Sequence, residues 1–212
     1  MKFPGDDSIP SMVVTTRFEQ ERDAYAHLVH GGVCDKGTVP KCFGWLMLTD
    51  KHIEQFASLP SQEQDARLMR ACEPRPRAIL LEYFLGAQQM DITNVTEKLA
   101  DVAMRGLYDL HAAYVLHCDV HRRNILVLPG DRVVWVDFNN AKTPSGKLTM
   151  MRQEFMYEMD TAWARLYEEL VSLSLLSRVF LPLITLPLSS SQINASGFTS
   201  GSGNGTTEVN DP

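Results

Sequence analysis

The sequence predicts an α+β fold. Three observations carry that expectation: three apolar stripes at helical spacing, one short apolar run of strand length, and two four-residue apolar runs on either side of a Pro-Gly turn. The composition fits. With 44% hydrophobic and 22% charged residues in 212, the chain has enough apolar surface for a core and too little charge for a disordered polymer. Its net charge of −6 argues against a binder of nucleic acid, which neutralises phosphates with a basic face.

The first stripe is Phe18, Glu21, Tyr25 and Leu28, one face of a helix that includes a carboxylate. Ala78 to Phe84 reads as a buried strand. Asn94 followed by Glu97 has the spacing of a capping box, and Leu99, Val102, Gly106 and Leu110 then mark a long helix reaching about Leu116. Ile125–Leu128 and Val133–Val136 flank Pro129 and Gly130, whose order suits a type II turn, so the pair reads as a β-hairpin. Phe155, Met159, Trp163, Leu166 and Leu170 form the last stripe. From Ser172 onward the only charges are Arg178, Glu208 and Asp211. An apolar stretch, Leu173 to Leu188, is interrupted by Arg178, Pro182 and Pro187, and falls short of the ~20 apolar residues of a membrane span. Ser189 to Thr207 holds thirteen Ser, Gly or Thr in nineteen residues, a composition with little to bury.

Cys34, Cys42, Cys72 and Cys118 have neither the density of a disulfide framework nor the tight spacing of a zinc site, which points to reduced thiols in a cytoplasmic protein. The N-terminus lacks the apolar run of a signal peptide.

The hairpin makes a geometric prediction. Matched antiparallel strands bring their open ends together, so Asn124, just before the first strand, and Asp137, just after the second, belong side by side. Asp119 lies just upstream. Three oxygen-bearing side chains around one small volume suit a hard cation such as Mg²⁺, which takes one or two carboxylates plus substrate phosphates.

At this point the sequence resembles a family. His117-Cys118-Asp119-Val120-His121-Arg122-Arg123-Asn124 matches H-x-D-x-x-x-x-N, the catalytic loop of protein kinases and kinase-like phosphotransferases, and Asp137-Phe138-Asn139 stands where D-F-G belongs. The pattern is most similar to small fungal protein kinase-like proteins, and His121 is also similar to a residue of aminoglycoside and choline kinases. The resemblance implies a two-lobed kinase-like fold that uses ATP and Mg²⁺ to phosphorylate a hydroxyl acceptor, protein or small molecule. It implies Asp119 as catalytic base and Asn124 and Asp137 as metal ligands. Arg123 would reach a phosphate or hold Asp119, and His117 would anchor the loop by hydrogen bonds. Glu21 would pair with a phosphate-gripping lysine, for which Lys2 is the only lysine upstream. The strand ending at Glu82 and Phe84 would enter the adenine-binding hinge.

The same resemblance divides the chain into a partial N-lobe (1–84), a partial C-lobe (85–171) and a tail outside the core (172–212). It also exposes departures. No glycine-rich loop precedes Lys2, Cys118 replaces the Arg of H-R-D, Asn139 replaces the Gly of D-F-G, and no A-P-E follows. Asn tolerates left-handed backbone, which would make the change at 139 mild. The expectation is therefore a kinase-like core truncated at both ends. The alternatives are an inactive pseudokinase acting as a binding module, and an unrelated α+β domain in which Asp and Asn only cap turns.

Overall fold

The computed structural model describes residues 11–144 and 150–177, with side chains described from residue 17 onward. Lys2 and most of the tail therefore lie outside the described residues. The architecture is mixed α and β. Helix α1 (Ser11–His30) leads to β1 (Cys42–Met47), two short helices α2 (Asp50–Ala57) and α3 (Glu63–Ala71), and β2 (Arg77–Leu81). A second sheet joins β3 (Gln88–Gln89), β4 (Ile125–Leu128) and β5 (Arg132–Trp135) in that spatial order, with α4 (Glu97–Ala112) between β3 and β4. Helix α5 (Arg152–Trp163) closes the described fold and continues as a wider π-helical segment, Ala164–Val171.

The main core gathers Ala24, Tyr25 and Leu28 of α1, the inner face of α4, the hairpin residues Ile125, Val133 and Trp135, and Leu166 and Leu170 after α5. The helical face predicted for α1 is thus the one that is buried. Helix α4 packs against the hairpin through Trp135, whose indole N–H donates to the Ala103 carbonyl at 2.9 Å. Gly106 makes that approach possible: a Cβ there would sit 3.1 Å from the Trp135 ring and 3.0 Å from the Thr38 methyl. A satellite core of Leu48, Ile53, Ala66 and Met69 joins α2 to α3.

Four sequence expectations change. The strand predicted from Ala78 to Phe84 covers only Arg77–Leu81, and none of it is fully buried. Its sheet has two strands, so one face stays open and Leu80 is 47% exposed. Helix α4 is capped by Thr96, whose hydroxyl accepts from the Leu99 N–H, and not by Asn94. Asn94 instead closes the preceding turn, accepting from the Asp91 N–H and donating to the Gln89 carbonyl. The same helix stops at Ala112, short of Leu116. Tyr114 takes a left-handed φ of 60°, and the Tyr114 and Val115 N–H groups fold back to the His111 and Leu110 carbonyls. That is a Schellman ending with tyrosine where glycine is usual.

The last stripe is offset. Glu158, Ala162, Leu166 and Leu170 are buried, whereas Trp163 is exposed. The miss lies within α5, where Phe155 and Met159 are half-buried and the inward face is Glu158 and Ala162, one residue before Met159 and Trp163, whereas Leu166 and Leu170 are buried as expected.

Candidate functional site

The predicted hairpin forms with a shifted register, which places Asn124 opposite Val136 with Asp137 one residue beyond. The second strand runs Arg132–Trp135, one residue earlier than Val133–Val136, because the loop has three residues and Leu128 pairs directly with Arg132. Gly130 and Asp131 both take left-handed φ, 79° and 58°, which closes that loop. At the open end the Val136 N–H donates to the Asn124 carbonyl at 2.9 Å. Asn124 and Asp137 therefore flank one end of the hairpin.

Asp119 is tied to the same end. Asn124 is buried, ends a short 3-10 turn from Arg122, and donates its amide to the Asp119 carbonyl at 2.9 Å. Arg123, one residue earlier on that turn, donates to both Asp119 carboxylate oxygens at 3.0 and 2.8 Å. Of the two roles open to Arg123, holding Asp119 is the one observed. Burial pushes the Asp119 carboxyl up, but the Arg123 hydrogen bonds, the neighbouring Asn124 amide and the Arg123 charge outweigh it, leaving the group below the usual carboxylate value. Asp119 is ionised at neutral pH.

His117 is fully buried and its Nε2 lies 3.1 Å from the Val136 carbonyl. A carbonyl only accepts, so Nε2 carries the proton and the ring locks the loop to the hairpin. Its ring packs on Trp135 and Phe138, and Phe138 meets Tyr25 of α1 edge-on at 5.4 Å. Burial lowers the His117 pKa, so the imidazole stays neutral. These contacts make His117 an anchor.

Asp137 takes a left-handed φ of 70°, which turns the chain so that Phe138 enters the core. The left-handed residue of this motif is thus Asp137, whereas Asn139 has no positive φ. Asn139 is buried instead, with its Oδ1 unpartnered. Glu21 is half-buried one turn before Tyr25. Burial raises the Tyr25 phenol well above its ordinary value, with the charges of Glu21 and Asp137 adding to the effect. Lys2, the proposed partner of Glu21, lies outside the described residues.

Glu82 follows β2. Its N–H donates to the Lys41 carbonyl at 2.9 Å, and its carboxylate accepts from the Lys41 N–H at 3.2 Å. Phe84 is half-buried beneath the Arg132 guanidinium, 6.0 Å from the ring centre, and its carbonyl accepts from the Ala87 N–H. Both sit in the short connection between the two sheets.

One residue escaped the sequence reading. Glu158 of α5 is 6% exposed and accepts from the His117 N–H at 3.1 Å, the Cys118 N–H at 2.6 Å and His111 Nε2 at 2.6 Å. It holds the loop from behind while Cys118 takes a left-handed φ of 59°. Partial burial, assisted by the Glu158 charge, pushes the Cys118 thiol up to about 11, so it is protonated and no nucleophile at neutral pH. The signal available was Glu158 at i−4 from Ala162 and i−8 from Leu166, a carboxylate on an apolar face.

Mg²⁺ fits the residues present by donor chemistry. The Asn124 amide nitrogen is committed to the Asp119 carbonyl, so its Oδ1 is the atom that could meet a cation, and Asp137 supplies a carboxylate, both hard oxygen donors at the same end of the hairpin. Among the described residues no group of three or more His, Cys, Asp or Glu gathers, so such a cation would complete its shell with phosphate or water oxygens. No protein-family model matches the chain, and no curated protein matches it. No helix among the described residues is long and apolar enough to cross a membrane, and the four cysteines are free thiols.

Proposed function

We propose that the chain is a protein kinase-like phosphotransferase that moves the γ-phosphate of ATP to a hydroxyl acceptor. The single observation that supports this reading is the position of Asn124 and Asp137 at the open end of one hairpin, with Asn124 hydrogen-bonded to the Asp119 carbonyl. Asp119 is held ionised by Arg123, and its carboxylate has lone pairs beyond the two that Arg123 takes. It would orient the acceptor hydroxyl and take its proton. Asn124 and Asp137 would hold Mg²⁺, which supplies charge neutralisation of the phosphates when bound. Arg123, His117 and Glu158 fix the loop, so the reacting geometry is set before substrate arrives. The nucleotide would approach from the side of Glu21, Glu82 and Phe84, with Lys2 as the expected phosphate-gripping residue.

Transfer of label from γ-labelled ATP in the presence of Mg²⁺ tests the reading. Asp119→Asn is expected to lower the rate by about 10²- to 10⁴-fold, the usual loss with a general base. An unchanged rate would refute the assignment. The hold of Arg123 Nη2 on both Asp119 carboxylate oxygens favours a second reading, a binding module whose carboxylate is structural. That reading predicts nucleotide binding with no transfer at all.

A further inference from the structure

A cavity of about 550 Å³ opens beside Asp119, lined by Lys142, Glu154, Tyr157, Thr161 and Arg165 among others. That volume lies in the range of small-molecule sites. Most of its charged groups are already engaged by partners inside the protein. Lys142 forms an ion pair with Glu154. Asp119 is paired with Arg123, and the Glu158 carboxylate is taken up by two backbone N–H groups and His111. Arg165 differs. Its guanidinium is half-buried and donates one hydrogen bond, at 3.0 Å, to the neutral Val120 carbonyl. Among the described residues no carboxylate lies within ion-pair distance of it. Arg165 is thus a lining cation with no carboxylate partner among the described residues, and its side chain has four further N–H donors with which to grip an oxyanion.

We propose that this cavity receives the acceptor, and that the acceptor is a small hydroxyl compound bearing a carboxylate or phosphate. Arg165 binds the anionic group while Asp119 meets the hydroxyl. The inference rests on the phosphotransferase reading above. In the step itself the acceptor oxygen bonds to the γ-phosphorus of ATP, the bond from that phosphorus to the β,γ-bridging oxygen breaks, ADP leaves with the bonding pair, and the hydroxyl proton passes to Asp119.

ADP release by the full chain with ATP and Mg²⁺ tests the proposal on three groups of acceptors. The first is glycerate and glycerol 3-phosphate. The second is their uncharged counterparts glycerol and the methyl ester of glycerate. The third is ethanolamine, choline and a serine-containing peptide. The first group alone is expected to stimulate release, and which of its two members does so tells carboxylate from phosphate. Arg165→Gln should raise the acceptor KM about tenfold or more, the loss of a charge-assisted hydrogen bond, with the affinity for Mg-ATP unchanged. Arg165→Lys should recover part of it. The comparison of glycerate with its methyl ester needs no variant and stands if Arg165→Gln fails to fold. Stimulation confined to the second or third group, or an unchanged KM in Arg165→Gln, overturns the inference. Mg-ATP binding without transfer to any acceptor also overturns it and leaves the binding-module reading. Absence of Mg-ATP binding removes both the inference and the phosphotransferase reading.

Discussion

Replacing Glu158 by alanine should loosen the loop that carries Asp119 and cost much of the fold's stability. The carboxylate is 6% exposed and is the acceptor for the His117 and Cys118 N–H groups and for His111. Truncation leaves all three without it. Each orphaned buried donor costs about 1–3 kcal/mol. About 4 kcal/mol is therefore expected, a large part of the ~5–15 kcal/mol that holds an ordinary domain. In a chain of this size that corresponds to a fall in Tm on the order of 10 °C. Glu158→Gln should be milder, about 1–2 kcal/mol. Its carbonyl can still accept from Cys118, and His111 can accept from its amide after a change of tautomer, so only the His117 N–H loses its partner. Urea unfolding followed by tryptophan fluorescence reads both variants, since Trp135 is buried in the main core. A loss under about 1 kcal/mol in Glu158→Ala would refute the reasoning. So would a Gln variant as unstable as the Ala variant.

Two further predictions concern stability. Tyr114 is 62% exposed and holds a left-handed φ of 60° at the end of α4, so Tyr114→Gly should raise stability by about 0.5–1 kcal/mol in the same urea assay. A loss of stability would contradict the strained ending. The second is the pH dependence. Burial holds the His117 pKa below 6.5, so as pH falls through 6.5 the unfolded chain takes up a proton that the folded chain does not. The stability from the neutral buried ring is fully present above that value and declines toward acid, by up to about 1.4 kcal/mol per pH unit. The urea midpoint should fall from pH 7.5 to 5.5, and His117→Asn should flatten that slope. An equally steep slope in the variant would show that other groups cause it.

The features legible in the sequence are local ones. The α1 face, the inner stripe of α4 and the hairpin each depend on neighbouring residues and fixed periods, and each is present. That Asn124 and Asp137 sit at the same end of the hairpin was legible from its closure, although the second strand is shifted by one residue and the residue opposite Asn124 is Val136. Arg123 and Asp119 are four residues apart, and their pairing was one of two open roles. What was not legible depends on distant partners. Glu158 meets His117 and Cys118 across 41 and 40 residues, and nothing local announces that contact. The boundary of the 78–84 strand failed because its burial depends on how many strands its sheet has. The stripe after Phe155 was right at Leu166 and Leu170 and one residue off at Trp163, because the inward face of α5 includes the carboxylate of Glu158, which an apolar count passes over. Helices α2 and α3, which bury a small core of their own, were not picked out although Ile53, Phe56 and Ala57 recur at helical spacing.

The central claim is that Asn124 and Asp137 form a cation site serving a nucleotide. Calorimetric titration of ATP into the chain, with Mg²⁺ and then with EDTA, tests it most directly, on the natural sequence and on Asp137→Asn. The account predicts binding that requires Mg²⁺ and weakens at least about tenfold in the variant, where a carboxylate ligand is lost. Binding that is equally strong with EDTA, or in Asp137→Asn, would contradict it.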